Sequence, residues 1–148
     1  MSASPRDVFL RLVHGVAEGR FNELPDLYAE VTDVRHPMAM PEAEPLTTRP
    51  ALQEHFTVPP EAQASIPKRR VVDVVVHETT DPEVIVAEFA YEFSMPDGSA
   101  TKVPCVFVMR IRDGEIVESR DYIDQIRSHQ ARDDIDALVA VLRADRSA

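Results

Sequence analysis

Glu118-Ser-Arg-Asp-Tyr-Ile-Asp-Gln125 sets three acids, an arginine and a tyrosine into eight residues, directly after a run that reads as strand, tight turn and strand. Side chains of a strand alternate between its faces. Val117, Ser119, Asp121 and Ile123 therefore share one face, and Glu118, Arg120, Tyr122 and Asp124 share the other. The second set is an ordinary polar surface. The first is apolar apart from Ser119 and Asp121, so Asp121 stands on what reads as a cavity wall. A carboxylate there either finds a buried partner or is held protonated to higher pH by desolvation. A pKa near neutrality suits a general base. The bland alternative is a structural carboxylate, hydrogen-bonded or solvated.

His36, in "VRHP", is the second candidate. It is either a strand-end histidine bonded to backbone or a polar cavity group that orients Asp121 or exchanges a proton with substrate. Around these two, the expected pocket is Leu12, Tyr28, Phe56, Phe89, Tyr91, Cys105, Phe107, Met109 and Ser119. Tyr91 is a hydroxyl donor to the pocket or simply core. The other histidines carry less. His14 falls off the apolar stripe of its helix. His55 points to a cavity mouth or to solvent. His77 has no assigned role, and His129 reads as surface.

Other chemistry finds no support in the sequence. There is no His-x-His, HExxH or cysteine pair, so no metal site is expected. Four glycines leave little room for a phosphate-binding loop. No cofactor is expected. Cys105 is the single cysteine, which fits a reducing, cytoplasmic setting and a buried structural role. The formal charge of −10 argues against nucleic acid, whose phosphates need a basic surface. No apolar run reaches the length of a membrane span, and the N-terminus lacks a signal-peptide pattern.

The elements that must place these residues can be read along the 148-residue chain, which has the size of a single domain, residues 1–148. "SPRDVFLRLVHGVAEG" opens as a helix, capped by Ser4, with Pro5 in its first turn and an apolar stripe of Val8, Phe9, Leu12, Val13 and Val16. A short helix over residues 22–30 carries Leu24, Leu27 and Tyr28 inward. "EVTDVRHP" is a strand stopped by Pro37, and a Pro-rich loop follows. "RPALQEHF" is a third helix. Four long strands come next, the last two joined across Asp113-Gly114, a hairpin signal. "SHQARDDIDALVAVLRA" closes as one helix, with Ile135, Leu138, Val139 and Leu142 as its stripe. Helices followed by a strand meander read as α+β.

The stretches "LVHGVAEGRFNELPDLYAEVTDVRHP" and "FVMRIRDGEIVESRDYID" carry a family resemblance. The chain resembles the SnoaL-like domains of the nuclear transport factor 2-like superfamily, which are related to ketosteroid isomerases, polyketide cyclases and limonene epoxide hydrolases. The resemblance implies a cone: a curved mixed sheet packed on N-terminal helices and enclosing an apolar pocket, here with an extra C-terminal helix. It also implies a homodimer through the convex sheet face, and a small apolar molecule as ligand. Asp121 matches the acid of the polyketide cyclases and the base of the epoxide hydrolases, and His36 the position of the isomerase base. The isomerase oxyanion donors fall on Leu12 and Phe107, which cannot donate. The epoxide hydrolases' Arg-x-Asp pair has no counterpart in "VIVAEFAYEF". The resemblance therefore implies either cofactor-independent acid/base chemistry with Asp121 as base, of a cyclase, isomerase or epoxide-hydrolase kind, or a non-catalytic ligand-binding or dimerisation domain.

Overall fold

The computed structural model describes residues 1–145. Helix α1, Pro5–Ala17, begins where Ser4 accepts a hydrogen bond from the Asp7 amide, and it buries Val8, Phe9, Leu12 and Val13. Gly15 on the same face lies so close to Leu24 that a Cβ there would stand 2.5 Å from the leucine side chain. This contact clamps α1 to the next element. That element is a 3-10 turn, Phe21–Leu27, with Pro25 inside it, and it gives way at once to strand β1, Tyr28–Arg35. The second helix read from the sequence is thus shorter, and Tyr28 opens a strand instead of closing a helix stripe. Strand β2, Leu46–Thr48, follows, and then α2, Arg49–Phe56, where Thr48 caps a helix with proline in its first turn. The one-turn helix α3, Pro60–Gln63, leads into the four long strands β3 Arg69–Glu78, β4 Val84–Ser94, β5 Ala100–Arg112 and β6 Glu115–Ile123.

The six strands form one sheet in the order β2-β1-β6-β5-β4-β3. Only β1 and β6 run parallel, so the sheet is mixed, as the cone requires. The architecture is α+β, a curled sheet with α1 packed into its concave side, where Phe9 meets Phe89 and Phe107 edge-to-face. Positive φ at Asp113 and Gly114 closes the β5–β6 hairpin at the dipeptide that signalled it.

Two irregularities break simple alternation. Register shifts at Val72/Val75, where Asp73 has φ 57°, so Val71 and Val74 pack toward the core while Val75 is exposed. Register shifts again where Ile111 pairs Ile116 but Arg110 pairs Glu118. Ile116, not Val117, is therefore the buried residue at the start of β6, while Ser119 and Asp121 keep the inward face expected of them. The closing helix is two helices, α4 Gln125–Ala131 and α5 Ile135–Asp145, hinged at Asp133 with φ 55°. The break buries His129, which pairs with Asp134 at 2.6 Å, so His129 is not the surface residue its flanks suggest. In α5, Leu138 is buried but Leu142 is exposed. Among the described residues no helix is long and apolar enough to cross a membrane.

Candidate active site

The parallel pairing of β1 and β6 aligns Val34 with Ser119 and Arg35 with Arg120. One residue further on, His36 and Asp121 come level on the concave face, because paired positions of neighbouring strands point the same way. His36 Nε2 lies 3.6 Å from Asp121 Oδ2. Pro37 stops β1 at this point, leaving His36 as the last side chain directed inward.

Both residues line a cavity of about 630 Å³ between the sheet, α1 and α2, a volume suited to a small organic molecule. Its walls are mainly apolar: Leu12 and Val16 from α1, Val34 from β1, Leu52 and Phe56 from α2, Phe93 and Phe107 from the sheet. The polar groups among them are few: Asp121, His36, His55, Tyr28, Tyr91, Arg69, Arg132 and two serines.

Asp121 is buried, and desolvation pushes its carboxyl up to about 7. The hydrogen bond it accepts from the Ser119 hydroxyl opposes the shift without cancelling it. His36 moves the other way. Burial first, then the neighbouring His55, push it down to about 4. At that distance the two would attract if His36 were protonated, but they are too far apart for a hydrogen bond. We read the pair as a neutral imidazole beside a carboxyl that is close to half-ionised at neutral pH.

The His55 ring lies 5.2 Å from that of His36 and contacts Phe56 edge-to-face. His55 lines the cavity and is also exposed, so it sits at the mouth, and the two orientations open to it in the sequence coincide. Tyr28 and Tyr91 line the cavity as well, and among the described residues neither hydroxyl meets a hydrogen-bond partner. Burial, and secondarily the charge of Asp121, raises Tyr28; burial also raises Tyr91. Both are therefore held as phenols, able to donate.

Of the residues expected in the pocket, Leu12, Tyr28, Phe56, Tyr91 and Phe107 line it together with Asp121 and His36. Phe89, Cys105, Met109 and Ser119 do not. All four share the inward parity, but Phe89 is covered by Phe9 and by Phe107, and Cys105, Met109 and Ser119 are buried below the surface of the wall. Ser119 instead donates its hydroxyl hydrogen bond to Asp121 Oδ1. Sequence reasoning missed Arg69 and Arg132, which enter from the start of β3 and the end of α4. Inward parity at Arg69, paired with Phe93, was the available signal. Among the described residues no group of three or more His, Cys, Asp and Glu side chains is placed to hold a metal ion.

Similar folds are found among solved proteins. A candidate isomerase from Bacillus subtilis superposes with a TM-score of 0.71 at 17% identity, covering 86% of this chain and 91% of its own. A candidate polyketide cyclase from Pseudomonas putida gives 0.65 at 14%, over 88% and 98%. SalBIII, an epoxide hydrolase/cyclase-like enzyme of pyran ring formation in the polyether salinomycin, gives 0.61 at 15%, over 83% and 92%. At such identities the likeness is one of fold. No curated protein matches the sequence. The family model of the SnoaL-like domain matches residues 9–119, from α1 through His36 to the edge of Asp121. With the six-stranded cone around its cavity, the chain belongs to the SnoaL-like domain family.

Proposed function

We propose that the cavity binds a small, largely apolar molecule and moves a proton on it without a cofactor, with Asp121 as the base. The observation that carries this reading is a carboxyl buried in an apolar wall and raised to about 7, with no arginine or lysine among the described residues within ion-pair distance to hold it as a fixed anion. Such a group accepts a proton from a C–H or O–H bond of the ligand and returns it to another atom at the same pH. Ser119 orients it through the Asp121 Oδ1 hydrogen bond. Negative charge that builds on a ligand oxygen as the proton leaves can be met by the unpaired phenols of Tyr28 and Tyr91. In a dry site such donors stabilise an oxyanion by several kcal/mol. They supply what Leu12 and Phe107 cannot. Neutral His36 positions the ligand or relays the proton. The family's cyclisation and isomerisation reactions need these steps and nothing oxidised or reduced.

The test uses nitrobenzisoxazole, a carbon acid that ring-opens to a coloured cyanonitrophenolate when a base removes its ring proton. Asp121→Asn removes only the ionisable group. Turnover should fall about a hundred- to ten-thousand-fold with the fold retained. A folded Asp121→Asn variant with undiminished turnover, or a wild-type protein no faster than acetate, would reject Asp121 as a base.

A further inference from the structure

Arg69 enters the cavity from the first position of β3. Its guanidinium carbon stands 5.0 Å over the Tyr91 ring and 5.3 Å from that of Phe93. These aromatic faces hold the cation in place but satisfy none of its N–H donors. Its Nε is buried without a hydrogen-bond partner, and among the described residues no carboxylate lies within ion-pair distance of it. The other arginine of the wall differs in this respect: Arg132 has Asp134 at 3.6 Å and His129 at 3.3 Å. In a chain with 26 acids and 16 basic residues, a half-buried arginine that none of the described acids reaches is a costly arrangement. A ligand anion would offset that cost.

We propose that Arg69 is the anion-binding end of the cavity, so that the ligand is an apolar molecule bearing a carboxylate. The inference rests on the reading of the cavity as a small-molecule site and narrows its substrate class. A guanidinium presents a planar fork that matches a carboxylate bidentately. One free fork with a phenol beside it suits this planar monoanion better than a phosphate, whose three oxygens and higher charge call for more donors. Tyr91 packs its ring against Arg69 and lines the same cavity as Asp121, whose charge its phenol also feels. A carboxylate on Arg69 therefore stretches the apolar body of the ligand along Phe107 and Leu12 toward Asp121, and the fixed end sets which ligand atom the base meets.

The test compares naphthoate with naphthamide, two probes of one shape that differ in charge, by titration calorimetry at neutral pH. Wild-type protein should bind naphthoate about 10- to 100-fold more tightly, the range of a charge-assisted hydrogen-bonded pair. Arg69→Met should bring the ratio near one. Arg69→Gln, which keeps a polar nitrogen in the buried position, guards against misfolding and should do the same. Asp121→Asn should keep the preference, so this outcome is separate from the fate of Asp121 as a base. The proposal is overturned by equal binding of the two probes, by tighter binding of naphthamide, by failure of both to bind at millimolar concentration, or by a folded Arg69→Met or Arg69→Gln variant that keeps the naphthoate preference.

Discussion

Asp121 and His36 face each other across 3.6 Å, and burial drives their pKa values in opposite directions. The consequences for stability also have opposite signs. Between its ordinary value of 3.8 and about 7, Asp121 binds more protons folded than unfolded, so its contribution to stability falls as pH rises through that window. Between about 4 and 6.5, His36 binds fewer protons folded than unfolded, so its contribution rises with pH there. The two largely offset each other below pH 6.5, and above it the Asp121 penalty stands alone. Asp121→Asn should therefore be more stable than wild type at pH 8, by on the order of 2–4 kcal/mol. The advantage over wild type should vanish near pH 4. Thermal melts of both proteins across this range measure it, and a variant less stable than wild type at pH 8 would show the carboxylate to be structural. Activity should have the mirror profile. With Asp121 as base, kcat/KM on nitrobenzisoxazole should climb with pH below about 7 and level off above it.

At the scale of elements, Asp124 joins the site to the end of the chain. It ends the run that opens with Glu118, and its carboxylate caps α4 by accepting from the Arg127 amide at 2.9 Å. The outer-face strand residue of the simple alternation is thus a helix cap. The cap sets where α4 begins, and through it where Ser128 and Arg132 meet the cavity rim. Asp124→Ala should cost about 1 kcal/mol in chemical denaturation and weaken ligand binding at the rim without changing the pH profile set by Asp121. The β5–β6 hairpin gives a second measure. Gly114 has φ 79°, and a Cβ there would stand 3.3 Å from the Ala3 backbone and the Ser2 side chain. Gly114→Ala should destabilise by about 1–2 kcal/mol from the left-handed backbone alone, read as a lowered melting temperature.

For the whole molecule, the unresolved demand is the outer face of the sheet. Val86 pairs Val108, and Val106 pairs Tyr122, giving an apolar strip across β4, β5 and β6 on the side away from α1. Each of these side chains is only partly covered, and Val75 on β3 is exposed. A second copy laid against this strip is the simplest cover. Sedimentation at micromolar concentration should give two chains per particle, and Val108→Asp should give one, with the cavity intact. A wild-type monomer would leave the strip to another partner.

Much of this was legible in the residues. Ser4 and Pro5, and Asp113-Gly114, act through local backbone geometry, so the start of α1 and the β5–β6 turn fell where the sequence put them, and α2 covers the run read as the third helix. Parity put Asp121 on the inner face, and the motif it sits in pointed to the family. Other features needed partners distant in sequence. The bulges at Asp73 and Val117 move side chains between faces, and strand pairing alone reveals them. Cys105 and Met109 share parity with Phe107, yet only Phe107 reaches the cavity, because wall depth depends on what packs above each side chain. His129 is a different case: its partner Asp134 lies only five residues on, across a helix break that the apolar spacing does not mark. The approach of His36 to Asp121 follows from a parallel pairing between strands separated by most of the chain. Local sequence determined which groups could do chemistry. Long-range packing decided which of them lose water together, and so whose pKa values shift.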